Sequence, residues 1–146
     1  MTLKQMAGVG LLAFGVIAVS RCAGVTPTPV RDLSYVSRTT GVSFPAASRL
    51  TAAKHYKGLN QWLKWRVEMP ASELSAFLAQ PSLHGDDIDK DDFLKGKAFS
   101  KDEEAEIMSA TKYTGLWFND GSLGLYLFII KDHPNTAVVY GFWSLG

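Results

Sequence analysis

Apolar and polar residues alternate most strictly over Gln61–Met69, where every second side chain is apolar. This period of two predicts a β-strand with one buried face. The preceding Arg49–Lys57 is predicted as a second strand and Gly58-Leu59-Asn60 as the turn between them, which makes a hairpin. The residues expected on the buried face of the second strand are Leu63, Trp65, Val67 and Met69.

After Pro70 the apolar spacing changes from two to three and four, which predicts a helix that begins at this proline and is stopped by Pro81. Residues 82–99 are expected to form a polar, acidic loop. A second helix is predicted to begin at the capping box Ser100-Lys-Asp-Glu103 and to run to about Ala110.

The C-terminal part is predicted as a β-meander with turns at Asn119-Asp120-Gly121 and at 132–135. One of its strands, Leu123–Ile130, is apolar on both faces, so we expect it to be central and covered by a helix on one side. The predicted fold is therefore a single α+β domain. It is an antiparallel sheet of about five strands (ββααβββ) with helices on one face, behind an N-terminal hydrophobic segment. The three strands expected in the meander are Tyr113–Phe118, Leu123–Lys131 and Thr136–Trp143.

The N-terminal stretch Met6–Val19 is uncharged and mostly apolar, and Lys4 precedes it. This arrangement is typical of a secretory signal. As a helix it would span about 21 Å, which is short of the roughly 30 Å hydrocarbon core of a bilayer. The sequence thus predicts export. It divides into a signal peptide or membrane anchor (1–21), a tether and lead-in segment (22–47) and an α+β domain (48–146).

Three fates are open to this N-terminal segment. Cleavage after Ser20 would place small residues at the positions that a signal peptidase requires. Lipidation would use Cys22, the only cysteine, although Arg21 stands where a lipobox needs a small residue. The third fate is an uncleaved anchor, for which the flanking charges Lys4 and Arg21 do not set an orientation.

Charge is unevenly distributed although the net charge is only +1. Residues 31–66 hold seven basic side chains and one acid, whereas residues 68–106 hold eleven acids and four lysines. Two interpretations follow: the two stretches pair with each other on folding, or they form a dipolar binding surface.

A candidate binding surface lies on the outward face of the predicted hairpin, where basic and aromatic side chains alternate. Such a pattern is used by proteins that bind nucleic acid, but export argues against a nucleic-acid partner. Anionic lipid head groups or an acidic protein surface are the expected partners. The side chains of this candidate surface are Lys54, Tyr56, Trp62, Lys64 and Arg66.

No catalytic or cofactor motif is present in the sequence. Asp87, Asp89 and Asp91 match positions 1, 3 and 5 of a calcium loop, which makes them weak metal candidates. The sixth position, which should be glycine, is Asp92, and the twelfth, which should be glutamate, is Ala98. The sequence therefore predicts neither a metal site nor a cofactor.

Three short motifs are similar to those of uncharacterised bacterial exported or lipid-anchored small envelope proteins. They are G-V-S-F-P-x-A-S at Gly41–Ser48, W-R-V-E-M-P at Trp65–Pro70 and A-S-E-L-S-A-F-L at Ala71–Leu78. The resemblance covers less than half of the domain. It implies a location in the cell envelope and does not indicate any chemistry.

The leading functional hypothesis is a non-enzymatic domain of the periplasm or cell envelope that binds a partner protein or the membrane surface. Its N-terminal segment would associate with the membrane, and no nucleic acid is expected. Two alternatives remain open: a small periplasmic enzyme with a site assembled from scattered residues, and a secreted inhibitor or immunity-type protein. A pocket with convergent titratable groups would favour the enzyme.

Overall fold

The computed structural model describes residues 26–146, which form seven strands and four helices. Ala71–Glu73 is a 3-10 turn that leads directly into the second helix. In chain order the elements are β1 (Thr28–Pro29), α1 (Leu33–Thr40), β2 (Arg49–Tyr56), β3 (Gln61–Pro70), α2 (Leu74–Leu78), β4 (Asp86–Asp87), α3 (Lys90–Leu94), α4 (Lys101–Ser109), β5 (Tyr113–Asp120), β6 (Leu123–Ile130) and β7 (Thr136–Leu145).

The strands form one antiparallel sheet in the order β1-β2-β3-β7-β6-β5-β4. This confirms the predicted α+β class with an antiparallel sheet. The strand count is seven rather than about five, because β1 and β4 have only two residues each and such strands carry no readable periodicity. The central strand is β7, not β6 as predicted. Both strands are apolar on both faces, so composition alone does not show which one lies in the middle.

The register of β3 agrees with its alternation. Its apolar face is buried, and each of the four predicted side chains is at most 1% exposed. On the adjacent strand, a Cβ atom at Gly141 would lie only 2.0 Å from the ring of Trp65. The absence of a side chain at Gly141 therefore lets the indole lie across the centre of the sheet. These four buried residues are Leu63, Trp65, Val67 and Met69.

Helices cover both faces of the sheet, which corrects the prediction that they lie on one face. On the first face, Val36 of α1 and Phe77 of α2 pack with the apolar face of β3. On the second face, Phe93 of α3 and Ile107 of α4 pack with Phe128 and its neighbours. β6 and β7 carry apolar side chains on both faces of the sheet. Both faces must therefore be shielded from water, and helices pack on each of them.

The segment predicted as a tether contains α1, a helix that the apolar pattern did not reveal. Asp32 caps it, because its side chain accepts a hydrogen bond from the backbone N–H of Ser34. Gly41 ends it in the left-handed conformation with φ of 76°. Val36 and Val42 are at most 1% exposed, so this segment contributes to the core.

The segment expected as an acidic loop, 82–99, also contains structure. The backbone N–H of Ile88 donates to Gly115, next to the β4–β5 pairing. Asp89 caps α3 by accepting from the backbone N–H of Asp92, and Phe93 is fully buried. Local capping and three buried apolar side chains, Leu83, Phe93 and Phe99, thus hold a stretch that is rich in like charges against the sheet.

Candidate functional site: the hairpin end of the sheet

One end of the sheet gathers the features that a binding site needs, and we call it the hairpin end. Here β2 ends at Tyr56, the turn 57–60 follows, and β3 begins at Gln61. β7 finishes at the same end, because Leu145 pairs with Gln61. β1 also starts here, since Thr28 pairs with His55. The described part of the chain therefore begins at the hairpin end.

The tip of the hairpin carries an apolar side chain that is almost entirely exposed. Leu59 is 98% exposed and lies between Lys57 and the strand β3. Behind it, the rings of Tyr56 and Trp62 stack at a centroid distance of 5.7 Å. The hairpin tip therefore combines one exposed aliphatic side chain, a half-buried pair of aromatic rings and an exposed cation.

A cleft opens beside the hairpin, between α1 and the β1–β2 edge, with a volume of about 280 Å³. It is lined by three cations, Arg31, Arg38 and Lys57, and we call it the cationic cleft. The acid among its lining residues, Asp32, is engaged by the N–H and hydroxyl of Ser34, and these hydrogen bonds lower the pKa of Asp32.

A hydrogen-bonded chain of three side chains lies at the inner wall of the cationic cleft. The phenol oxygen of Tyr35 is 2.5 Å from Nδ1 of His55, and the Nε2 atoms of His55 and Gln61 are 2.8 Å apart. His55 is only 3% exposed. Burial, together with the charge of Lys57, lowers the pKa of His55 below its usual 6.5. The ring is therefore neutral at neutral pH.

The neutral ring has one donor and one acceptor, so the direction of the chain depends on which ring nitrogen carries the proton. When the amide nitrogen of Gln61 donates, Nε2 of His55 is the acceptor. Nδ1 then carries the proton and donates to the oxygen of Tyr35. The hydroxyl hydrogen of Tyr35 is left to be donated to an acceptor in the cleft. Both ring nitrogens of His55 are engaged, so this histidine positions Tyr35.

Two members of the candidate surface predicted from the sequence are engaged elsewhere. Nζ of Lys64 lies 2.6 Å from Oε1 of Glu103, and Arg66 donates to both carboxylate oxygens of Glu106 at 2.8 and 2.9 Å. Tyr140 also donates to Glu106. We call these five residues the internal ion-pair cluster. Helix α4 covers them, and Lys64 is only 7% exposed.

Within the internal ion-pair cluster, Arg66 and Glu106 each stabilise the charged form of the other. The guanidinium of Arg66 lowers the pKa of Glu106 from its usual 4.5. The same hydrogen bonds raise the pKa of Arg66. Burial, and then the bond to Glu106, raises the pKa of Tyr140. The remaining members of the predicted surface, Lys54, Tyr56 and Trp62, lie toward the hairpin end, where Lys54 is exposed.

The three aspartates that match a calcium loop are not brought together as ligands. Asp87 lies in β4, Asp89 caps α3 and Asp91 lies in the first helical turn. In the part of the chain from residue 26 to residue 146, no group of three or more His, Cys, Asp or Glu side chains has the geometry to hold a metal ion.

The predicted signal or anchor and Cys22 lie outside the described residues. No helix between residues 26 and 146 is both long enough and apolar enough to cross a bilayer. The chain has no match among family models, among curated proteins or among solved structures.

Sequence reasoning missed most of the hairpin end. The sequence predicts Leu59 in a turn, and its large apolar side chain is a signal there, since turns are usually polar. Asp32 and Gly41 stand at the spacing of helix caps and would have indicated α1. The convergence of Arg31 and Arg38 with Lys57 has no sequence signal, because it depends on how β1 and α1 lie against β2.

Proposed function

We propose that this protein is an exported, non-enzymatic domain that docks its hairpin end on an anionic membrane surface. The observation that carries the proposal is Leu59, 98% exposed at the hairpin tip with Tyr56, Trp62 and Lys57 around it. An exposed aliphatic side chain, half-buried aromatic rings and an exposed cation together are typical of surfaces that enter the lipid interface.

The position of the N-terminal segment supports this orientation. Only four steps of the chain separate Cys22 from Thr26, the first described residue, and they span at most about 14 Å. A retained apolar segment or a lipid on Cys22 would therefore hold the hairpin end against the bilayer. Cleavage after Ser20 would leave docking to Leu59 and the cations alone.

Electrostatics favour an anionic surface over a neutral one. Each basic side chain close to an anionic leaflet contributes about 1 kcal/mol of attraction, which decays within a Debye length. Arg31, Arg38, Lys54 and Lys57 all lie at or near the hairpin end and are exposed. The insertion of Leu59 adds an apolar contribution that salt does not screen.

The cationic cleft is the place where an enzyme would be expected, because it gathers Tyr35, His55 and several charges. His55, the natural base of such a site, has hydrogen-bond partners for both ring nitrogens and is almost fully buried. It holds Tyr35 in place and is not open to a substrate proton. This geometry supports a binding role over a catalytic one.

Docking is tested with the full chain reconstituted in vesicles and a polarity-sensitive fluorophore at the hairpin tip. The label is attached at Leu59→Cys in a Cys22→Ser background. We expect a blue shift, and quenching by brominated lipid, in phosphatidylglycerol vesicles and much less of either in phosphatidylcholine. The matched control is Met108→Cys, because Met108 is also an exposed apolar residue (49%) but lies at the C-terminal end of α4, away from the hairpin.

Identical spectra from the two labelled positions would overturn docking and favour a protein partner, as in the inhibitor or immunity-type alternative. Export itself is checked in the same host by fusing residues 1–30 to alkaline phosphatase, which is active only in an oxidising compartment. An inactive fusion would remove the exported part of the proposal.

A further inference from the structure

The three cations of the cationic cleft do not form ion pairs with the acidic side chains of the described residues. Within residues 26–146, none of Arg31, Arg38 and Lys57 forms an ion pair with an acidic side chain. Arg38 donates to the hydroxyl of Ser34 at 3.1 Å, which fixes one arm of its guanidinium and leaves the other donors available. Three cations and one carboxylate, that of Asp32, line this concavity, and the resulting net charge of +2 (three minus one) favours an anion.

The inner wall of the cleft adds a neutral donor to these cations. When Nδ1 of His55 donates to Tyr35, the hydroxyl hydrogen of Tyr35 is available to an acceptor in the cleft. Apart from Asp32, whose two carboxylate oxygens already accept from Ser34, the polar side chains of the cleft named so far can all donate. A matching ligand therefore presents acceptors on several sides, and a tetrahedral oxyanion meets this requirement better than a planar carboxylate with two oxygens.

We infer that the cationic cleft is a binding site for a phosphate ester, with Arg31, Arg38, Lys57 and the hydroxyl of Tyr35 as its donors. A volume of about 280 Å³ suits a head group and not a large ligand. The inference deepens the proposed function by naming the lipid group that the hairpin end would recognise, and it relies on that proposal for the lipid as the source of the phosphate. Lys57 belongs to both the cleft and the hairpin tip, so one bound lipid could lie beside an inserted Leu59.

The test is calorimetric titration of the detergent-solubilised full chain with glycerophosphoglycerol, the soluble head group of phosphatidylglycerol, and separately with inorganic phosphate. We expect saturable binding of glycerophosphoglycerol. The double variant Arg31→Gln/Arg38→Gln should weaken it at least about tenfold, since charge-assisted hydrogen bonds are lost. Tyr35→Phe should weaken it about threefold or more. Arg49→Gln is the matched control, because its side chain is 73% exposed at the start of β2, and binding should be unchanged.

Equal affinity in the natural protein and in the double variant would overturn the inference, as would acetate binding as tightly as the phosphate ester. Displacement of bound glycerophosphoglycerol by phosphatidylglycerol vesicles identifies the lipid as the source. Tight binding of inorganic phosphate without such displacement would overturn the lipid assignment and leave an anion site for free phosphate. Melting temperatures of the unliganded variants show that each is folded.

Leu59→Asp separates this inference from the proposed function. With the fluorophore moved to Asn60→Cys, the neighbouring exposed residue of the turn, the substitution should abolish burial of the hairpin tip in vesicles. It should leave the titration with glycerophosphoglycerol unchanged. A chain that binds the head group but shows no tip burial would refute membrane docking while the cleft assignment stands. Tip burial without head-group binding would refute the cleft assignment while membrane docking stands.

Discussion

The internal ion-pair cluster and the cationic cleft draw their positive charges from the same basic stretch of sequence, yet the fold uses them differently. In the cluster, Lys64 and Arg66 lie on the second face of β3 beneath α4, a helix rich in acids. In the cleft, the cations lie at the end of the sheet where α1 covers the first face, and α1 supplies no acid from within the helix. The acidic stretch thus neutralises the middle of the hairpin and not its end.

The contrast shows that the two interpretations of the charge split do not exclude each other. Lys64 and Arg66 form ion pairs within the molecule. Arg31, Arg38 and Lys57 instead form an exposed cationic surface. A count of charges along the chain gives equal weight to both sets. Their roles separate only when the crossing of α4 over β3 is known.

The largest expected difference between the two regions is in stability. Arg66→Ala should lower the free energy of unfolding by about 2–3 kcal/mol, because it leaves the half-buried carboxylate of Glu106 without its bidentate partner. Arg38→Ala, in the cleft, should change stability by less than about 0.5 kcal/mol. Urea unfolding followed by tryptophan fluorescence measures both values. Similar costs for the two substitutions would mean that the distinction between the regions is wrong.

A smaller effect is expected in the coupling energies of two ion pairs that involve the hairpin, Lys64–Glu103 and Arg49–Glu68. A double-mutant cycle with Lys64→Met and Glu103→Gln should give a coupling energy of about 1–2 kcal/mol, since the Lys64 side chain is only 9% exposed. Glutamine at 103 keeps an acceptor for the capping box. The cycle for Arg49 and Glu68, where the arginine side chain is 73% exposed, should give less than about 1 kcal/mol. Equal coupling energies would show that burial beneath α4 does not strengthen the Lys64–Glu103 ion pair.

The smallest effect is expected in the free energy of unfolding under mildly acidic conditions. His55, at the cleft, should respond at a higher pH than the glutamates of the ion pairs. The pKa of His55 is lower in the folded protein than its usual 6.5, so the unfolded chain binds the extra proton first. The contribution of neutral His55 is therefore complete above about pH 6.5 and is lost as the pH falls. The loss cannot exceed about 1.4 kcal/mol per pH unit for one proton.

Glu68 and Glu106 have pKa values lowered from 4.5 by their arginine partners, so their stabilisation is lost only under more acidic conditions. Urea unfolding at pH 7, 6 and 5 should show a slope in the natural protein and a much flatter profile in His55→Gln. An unchanged slope in the variant would assign the acid response to another histidine.

Much of the sheet was predictable because its signals are local. The alternation in β3 and the capping box at Ser100 each depend on neighbouring residues, and each is found where it was predicted. The turn predicted at Asn119-Asp120-Gly121 is also present, but it lies at residues 121–122, because Asn119 and Asp120 still pair with β6. The position of β7 between β3 and β6 was not predictable, because strand order depends on pairing between segments far apart in the chain. The hairpin end was missed for the same reason: its cleft is assembled from α1, β1 and the end of β2.

The order of the strands also affects how the protein folds. β7, the central strand, follows the other six described strands in chain order, so β1-β2-β3 and β6-β5-β4 remain two separate half-sheets until Thr136–Leu145 is available. Pairing between β3 and β7 closes a long loop, and such non-local contacts form slowly. A chain shortened at its C-terminus would expose the inner edges of both half-sheets and would be a target for proteases and for aggregation.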